Sequence, residues 1–204
     1  VVFGLFSVGA VPVLIDPGMG FSRLLHCISK TVPKVLVGIP QAHWARFFLK
    51  KYFESVKISF STGSLSTFLG IKKLPPVECF ASYSGAAKTA DFSAADVSAS
   101  DLAAIVFTTG STGPAKGVEY THGIFMEQLG IIRDSYGAGP EYIDMPCFPL
   151  FAMFSLCLGM PCVIPDVNPS EPAWARPEKI VEAVKKFNVS FSFGSPALWK
   201  NTAR

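Results

Sequence analysis

The sequence predicts an α/β fold with mostly parallel sheets flanked by helices. Short apolar runs alternate along the chain with stretches whose apolar residues recur at helical spacing. A strand, a helix and a second strand in close succession favour a crossover that places both strands parallel in one sheet. Another apolar run, residues 102–107, leads directly into a loop rich in glycine and hydroxyl groups. The 204 residues, 50% of them hydrophobic, are enough to bury a sizeable core.

The N-terminal part of the chain contains the first strand–helix–strand succession. Residues 3–8 predict the end of a helix, and residues 11–15 predict a buried strand. Proline and glycine then mark a turn at residues 16–20. A helix is expected from Phe21, and residues 35–37 predict the next short strand.

The middle of the chain predicts one more helix and a long connection. Residues 44–53 mix aromatic and basic side chains, which is typical of an amphipathic helix. We expect its aromatic face to pack inward, with contact to a membrane surface as the alternative. Residues 59–100 are rich in Ser, Ala, Gly and Thr and are interrupted by Pro75 and Pro76. They predict a variable surface connection that includes one short strand, without a domain boundary.

Residues 107–118 predict the functional centre of the chain. Glycine lets the backbone turn tightly and approach a ligand closely, and N–H groups in such a turn converge on an anion. The hydrogen-bonding and charged side chains of this run are Thr108, Thr109, Ser111, Thr112 and Lys116. Many donors, a pliable backbone and one cation suit an oligophosphate; the alternative is a flexible surface turn.

Two common nucleotide-binding loops are excluded by the order of residues. A Walker-type loop has Gly directly before the lysine and Ser or Thr directly after it, whereas Lys116 lies between Ala115 and Gly117. The dinucleotide-binding fingerprint fails because Gly110 and Gly113 do not have its spacing.

A helix is predicted directly after the loop region. Thr121 is well placed to cap its N-terminus, and glycines beyond Tyr136 mark its end. We expect His122 to be a structural partner near the helix start and not an acid or base.

Residues 145–165 carry no charge, so a membrane span is one interpretation of this stretch. Four prolines argue against a continuous helix and favour a strand, a short helix near residues 151–158 and a second strand at residues 161–164. Further on, residues 177–187 predict a helix and residues 189–193 a strand, followed by a turn into a final helix.

Composition narrows the function classes. A net charge of +3, without a run of basic residues, gives no support for nucleic-acid binding. Five cysteines without C-x-x-C spacing predict reduced, mostly buried thiols in a cytoplasmic protein. Peripheral attachment to a membrane is the alternative location. The three histidines are far apart, so no metal site is expected.

The loop resembles the phosphate-binding signature of the adenylate-forming superfamily, the AMP-dependent synthetases and ligases. That signature has two small hydroxyl or glycine residues, then Gly, Ser or Thr, Thr, Gly, any residue, usually Pro, and Lys-Gly; Ala115 stands at the usual proline. Weaker similarities to the same superfamily occur at residues 9–17, 121–122, 149–151 and 194–198. The combination of residues 11–20, 148–152 and 193–198 looks most like the fatty-acyl-CoA synthetase-like branch that contains olefin β-lactone synthetases.

The resemblance implies ATP-dependent activation of a carboxylic acid, fatty or β-hydroxy fatty, to an acyl-adenylate, with Mg²⁺ on the phosphates. The acyl group would then pass to coenzyme A or, in the β-lactone branch, to the substrate's own β-hydroxyl group. Lys116 would be the catalytic residue, and its positive charge would balance the negative charge of the phosphates. The phosphate cradle would be Thr108, Thr109, Gly110, Ser111, Thr112 and Gly113. The acyl-pocket wall would be Phe148, Leu150, Phe151 and Ala152.

One departure from the family pattern bears on the substrate. Ala152 stands where the family usually has a histidine, which makes the implied pocket wider and more apolar. Such a pocket fits a lipid-like acyl group better than an aryl group or an amino acid, which would need polar contacts.

The resemblance also implies a domain assignment. Residues 1–204 would be part of the large N-terminal AMP-binding domain, truncated at both ends, with the adenine-binding motifs and the small C-terminal lid domain beyond Arg204. We therefore expect these residues alone not to catalyse. Two other classes stay open: a non-catalytic nucleotide-binding or interaction module, and a membrane-associated lipid-binding protein.

Overall fold

The computed structural model describes residues 1–62, 70–74, 93–108, 114–169 and 171–203. The chain divides into two compact units. The first comprises Val1–Val97 and Leu102–Tyr120, and the second comprises Ser98–Asp101 and Thr121–Arg204.

The first part of the chain alternates helices and short strands. In chain order these elements are α1 (Val2–Ser7), β1 (Val13–Leu14), α2 (Phe21–Thr31), β2 (Val35–Gly38), α3 (Pro40–Phe48), β3 (Ile58–Ser61), β4 (Lys72–Lys73), β5 (Leu102–Thr108) and β6 (Lys116–Thr121). Single 3-10 turns lie at Pro17–Met19 and Lys50–Tyr52.

The second part of the chain is richer in helix. Its elements are α4 (His122–Tyr136), β7 (Asp144–Pro146), α5 (Ala152–Cys157), α6 (Pro177–Phe187), β8 (Phe191–Phe193) and α7 (Pro196–Thr202). Two 3-10 turns occur at Pro149–Phe151 and Pro172–Trp174.

The predicted α/β class with parallel sheets is confirmed. β1 pairs in parallel with β5, β2 with β3, β3 with β4, and β7 with β8. The expected crossover from β1 to β2 is wrong, however, because these strands lie in different sheets, ordered β1-β5-β6 and β2-β3-β4. A local apolar run identifies a strand but not its partner, and Val13 lies beside Ile105, far along the chain.

Helix α2 connects two apolar clusters of the first unit. Leu25 and Ile28 pack with Phe53 and Val56, while Cys27 belongs to a cluster that includes Phe107 of β5. The helical spacing seen in the sequence therefore gives the buried face that it predicted. It anchors β5, the strand that leads into the signature loop.

The expected inward packing is wrong for the aromatic residues of the helix itself, whereas Phe53, which lies beyond its end, is buried at 4% exposure. The helix begins at Pro40 and ends at Phe48, and its buried residue is His43. Trp44, Phe47 and Phe48 are 52%, 45% and 73% exposed. Their rings contact one another: Phe47 and Phe48 meet edge to face with centroids 5.3 Å apart, and Trp44 stacks on Phe48 at 6.2 Å. The spacing of the aromatic residues predicted that α3 has an aromatic face, but it did not predict whether this face is buried or exposed. Contact of this face with a membrane stays a prediction.

The connection predicted for residues 59–100 contains two short strands in its described part, β3 and β4. Residues 63–69 and 75–92 of it lie outside the described residues. Strand β6 was missed because its residues are half polar and directly precede a helix.

The predicted helix after the loop region is confirmed as α4. Thr121 is its N-cap, and the Thr121 hydroxyl accepts a hydrogen bond from the Ile124 amide at 3.2 Å. The helix ends at Gly137, whose φ of +63° is the left-handed conformation that glycine adopts at low cost. The backbone amide of His122 donates to the Asp101 carbonyl oxygen at 3.0 Å, and the role of its side chain stays a prediction.

The uncharged stretch folds as separate short elements. β7 and α5 match the predicted strand and short helix, but the expected second strand reduces to a bridge between Cys162 and Asp144. No helix within the described ranges is both long enough and apolar enough to cross a membrane. The core of the second unit forms around Met145, Ile180 and Leu198, which join β7, α6 and α7.

The described cysteines are all free thiols. Cys27 and Cys147 are buried, Cys162 is half-buried and Cys157 is exposed, while Cys79 lies outside the described residues. Burial raises the pKa of all four described thiols, which disfavours the reactive thiolate. Within the part of the chain that the structure describes, no three His, Cys, Asp or Glu side chains gather as metal ligands would.

Candidate functional site

The two ends of the signature loop are held by neighbouring strands. Thr108 is the last residue of β5 and Lys116 the first of β6, and both side chains are exposed. β5 and β6 are neighbours in one sheet, so the chain leaves and re-enters the sheet at adjacent strands. The other predicted cradle residues, Thr109, Gly110, Ser111, Thr112 and Gly113, lie outside the described residues.

Close packing against β5 explains why a glycine, Gly117, follows Lys116. A Cβ atom on Gly117 would lie 3.1 Å from Cγ2 of Ile105 and 3.2 Å from Cζ of Phe107. These distances are too short for comfortable van der Waals contact, and both neighbours belong to β5. Gly117 therefore lets β6 lie directly over two bulky side chains of the strand that leads into the loop.

A small cavity of mixed polar and apolar lining lies beside these strands within the first unit. It has a volume of about 330 Å³, and its charged or titratable lining side chains are His26, Lys30 and Glu119. Phe107, Ala115 and Gly117 contribute to the same wall. Basic and acidic groups thus occur together beside the strands that carry the loop.

A larger and mostly apolar cavity lies within the second unit, with a volume of about 860 Å³. One wall is the face of α4, and the opposite wall comes from β7, α5 and β8. The lining residues are Thr121, Gly123, Ile124, Glu127, Gln128, Ile131, Ile132, Tyr136, Asp144, Phe151, Phe154, Ser155, Met160, Phe191, Ser192 and Phe193. This size and lining suit a lipid-like or drug-sized molecule.

One of the four residues predicted for the pocket wall lines this cavity. Phe151 lies against Phe193 with ring centroids 4.5 Å apart and against Phe154 at 6.0 Å. The ring centroid of Phe148 lies 5.7 Å from that of Phe151, but Phe148 does not itself line the cavity. Leu150 and Ala152 flank Phe151 in the chain without being lining residues.

Sequence reasoning missed the contribution of α4 to the cavity. Ile124, Gln128 and Ile131 line the wall at spacings of four and three, which places them on one face of the helix. Ile124 and Ile131 are 45% and 60% exposed, and no residue of α4 is fully buried. Apolar residues at helical spacing were the available signal, but periodicity alone does not separate a cavity wall from a core face.

A carboxyl group and a hydroxyl group interrupt the apolar wall. Asp144 and Ser155 are 1% and 4% exposed, and the Ser155 hydroxyl donates a short hydrogen bond to Oδ2 of Asp144. Oδ1 of Asp144 has no hydrogen-bond partner among the described residues. Burial raises the pKa of Asp144 and outweighs the opposing effects of the Ser155 hydroxyl and the Met145 amide.

The backbone on both sides of Asp144 is fixed. Its N–H donates to the Pro161 carbonyl oxygen at 2.9 Å, and its carbonyl oxygen accepts from the Val163 amide at 2.8 Å. On the other side, Asp144 lies opposite Phe191 in the β7–β8 pair. The carboxyl group is therefore carried by the middle of a small sheet and not by a loose loop.

Comparison with known proteins agrees with the signature loop. The family model described as AMP-binding enzyme matches residues 1–204. The chain is 40% identical over 198 residues to an olefin beta-lactone synthetase from Xanthomonas campestris pv. campestris, covering 97% of the chain and 34% of the relative. It is 38% identical over 202 residues to an olefin beta-lactone synthetase from Stenotrophomonas maltophilia, covering 99% of the chain and 35% of the relative.

Solved structures show the same fold at lower identity. A long-chain-fatty-acid-CoA ligase from Archaeoglobus fulgidus is 22% identical with a TM-score of 0.73, over 98% of this chain and 38% of that one. ATP-bound MatB from Rhodopseudomonas palustris is 19% identical with a TM-score of 0.70, over 100% of this chain and 38% of that one. The chain spans about a third of the length of the curated relatives it matches. The family match over the whole chain and the identity to two curated relatives lead to one conclusion: this chain belongs to the AMP-binding enzyme family.

Proposed function

We propose that the full-length protein containing this chain uses ATP to activate a fatty or β-hydroxy fatty acid as an acyl-adenylate. The observation that carries the proposal is the signature run at residues 107–118, located between β5 and β6 of a chain that the family model matches throughout. The identity to two olefin beta-lactone synthetases supports it. The mostly apolar cavity of the second unit offers room for a long acyl chain.

In the proposed reaction a carboxylate oxygen of the acid attacks the α-phosphorus of ATP. The bond from that phosphorus to the bridging oxygen breaks, and pyrophosphate leaves with the electron pair. Two anions must approach each other and negative charge must be stabilised on the leaving group, so fixed donors and a cation lower the barrier.

Lys116 and the cradle residues are assigned to these tasks. Lys116 is exposed and sits at the start of β6, which holds its ammonium group near the loop without burying it. Thr108 supplies a hydroxyl donor from the end of β5, and Thr109, Gly110, Ser111, Thr112 and Gly113 complete the assignment. Mg²⁺, which the family resemblance implies, would be held by phosphate oxygens of ATP and would offset their negative charge.

The acceptor and the domain context complete the proposal. The acyl group passes to coenzyme A, or the substrate's own β-hydroxyl oxygen attacks the acyl carbon and releases AMP with closure of a β-lactone. Residues 1–204 are assigned to the large N-terminal domain, and the remaining catalytic groups to other parts of the full-length protein, which we place in the cytoplasm. We therefore expect these 204 residues on their own not to catalyse ATP–pyrophosphate exchange.

The test uses the full-length protein with ATP, Mg²⁺ and a β-hydroxy fatty acid. We expect ATP–pyrophosphate exchange that depends on the acid, and mass spectrometry with and without coenzyme A then separates acyl-CoA from β-lactone as product. Lys116→Ala should lower kcat/KM for exchange by about 10²-fold, because it removes a cation from the developing pyrophosphate charge.

A matched control is Lys185→Ala, which removes an exposed lysine from the last turn of α6. This variant should retain the exchange activity of the wild-type protein. Absence of exchange with every acid tested would overturn the proposed function. Equal activity of Lys116→Ala and wild type would overturn the assigned role of Lys116.

A further inference from the structure

Burying the carboxyl group of Asp144 beside Ser155 lowers the stability of the folded chain. Transfer of a carboxyl group from water into an apolar environment is unfavourable unless its hydrogen bonds are made. Oδ2 of Asp144 accepts a hydrogen bond from the Ser155 hydroxyl, while Oδ1 has no partner among the described residues. An apolar residue at this position would avoid the cost, since the neighbouring wall consists of Phe154, Met160 and Phe191.

The pair belongs to the wall of a cavity. Both residues line the apolar cavity of about 860 Å³. The nearby hydroxyl of Ser192 is already used, because it donates to the Met145 carbonyl oxygen at 2.6 Å. The hydroxyl of Thr121 accepts the capping hydrogen bond of α4. On the β7–α5 side of the cavity, Oδ1 of Asp144 is therefore an acceptor that no described residue fills.

The chemistry of the pair selects one kind of ligand group. Burial raises the pKa of Asp144, because the apolar surroundings disfavour its charged form. Oδ1, which has no partner among the described residues, is a hydrogen-bond acceptor. An alcohol, which donates a hydrogen bond without carrying a charge, matches this acceptor, whereas the pair gives no compensation for a buried anion.

We propose that Asp144 and Ser155 form a hydrogen-bonding point for a hydroxyl group on an otherwise apolar acyl chain, and that they select hydroxylated acids over plain ones. The inference rests on the proposed function and adds the residues that determine specificity. Oδ1 of Asp144 accepts the hydrogen bond that the substrate hydroxyl donates, while the Ser155 hydroxyl keeps its hydrogen bond to Oδ2. The apolar wall around Phe151 and Ile131 holds the hydrocarbon part.

A purely structural role would look different. If the Ser155–Asp144 hydrogen bond only joined α5 to β7, its loss would lower stability and reduce activity with all acids alike. A hydroxyl-binding point changes the ratio of kcat/KM values for hydroxylated and plain acids, because a site built around a hydrogen bond penalises a substrate that lacks it.

The experiment measures ATP–pyrophosphate exchange by the full-length protein with acids of equal chain length. The panel carries a hydroxyl group at C2, C3 or C4, or none. We expect wild type to prefer one hydroxylated acid over the plain acid by at least about tenfold, roughly the worth of one well-made hydrogen bond. Asp144→Leu and Ser155→Ala should each reduce that preference by most of this factor, and Asp144→Asn, which keeps an acceptor, should retain part of it.

Cys147→Ala is the matched control, because Cys147 is buried in the same segment but does not line the cavity. It should leave the preference ratio unchanged. If Asp144→Leu does not fold, as judged by circular dichroism, Ser155→Ala decides the question. Exchange with plain and hydroxylated acids at equal kcat/KM in wild type, or an unchanged ratio in the variants, overturns this inference alone. Absence of exchange with all acids removes the proposed function and this inference with it.

Discussion

Two glycines show how single residues set the local geometry around the candidate sites. A Cβ atom on Gly117 would crowd Ile105 and Phe107 at 3.1 and 3.2 Å, and a Cβ on Gly194 would lie 2.8 Å from Nε1 of Trp199. Both belong to sequence motifs that suggested a family, and the structure gives each a physical reason. By contrast, nothing local to Asp144 in the sequence indicated that its carboxyl group is buried beside Ser155.

The raised pKa of Asp144 predicts a pH dependence of stability. Below the ordinary pKa of 3.8 the carboxyl group is neutral in both the folded and the unfolded state, so its ionisation does not lower the free energy of unfolding. As pH rises from there to the higher pKa of the folded state, the unfolded chain ionises first, so wild type loses stability; above that pKa the loss is complete. Asp144→Asn has no such loss, so its Tm should gain on wild type as pH rises through this window and then stay level.

Thermal unfolding of both proteins between about pH 4 and pH 8 checks this prediction, starting near the ordinary carboxyl pKa. A Tm difference that stays constant, or that moves in favour of wild type as pH rises, would show that the folded pKa is not raised.

At the scale of elements, local signals placed most of the helices. The spacing of apolar residues predicted α2 and α6, and Thr121 with Gly137 predicted the limits of α4. Strand β6 and the outward aromatic face of α3 were not predicted, because both depend on neighbours that the local pattern does not contain.

The cap of α4 gives a prediction at this scale. Thr121→Ala removes the acceptor for the Ile124 amide and should cost about 0.5–2 kcal/mol, whereas Thr121→Ser keeps the hydroxyl group and most of the stability. Hydrogen exchange followed by mass spectrometry should show faster exchange at the start of α4 in the alanine variant. Equal protection in both variants would mean that the hydroxyl contributes nothing to the helix start.

At the scale of the whole molecule, each compact unit has its own apolar clusters. Leu25, Ile28, Phe53 and Val56 pack in the first unit, and a separate cluster around Ile180 packs in the second. Because buried contacts hold a region together cooperatively, we expect damage to one cluster to loosen chiefly its own unit.

Ile180→Ala tests this expectation. Ile180 is 1% exposed, and its truncation should cost about 2–5 kcal/mol. In the full-length protein, hydrogen exchange should accelerate in peptides from α4 to α7 and much less in β5. Leu25→Ala, the counterpart in the first unit, should give the reverse pattern. Equal loss of protection in both units for either variant would show that they unfold as one.

The sequence by itself determined the α/β class, most helices and the signature loop with its family, because each depends on residues close together in the chain. Only the tertiary structure decided that β1 pairs with β5, that Trp44 and Phe48 face outward, and that α4 and β8 share a cavity with Asp144 and Ser155. The physical reason is that hydrogen-bonding registry between strands and the burial of a polar group depend on contacts between distant segments, which local periodicity does not encode.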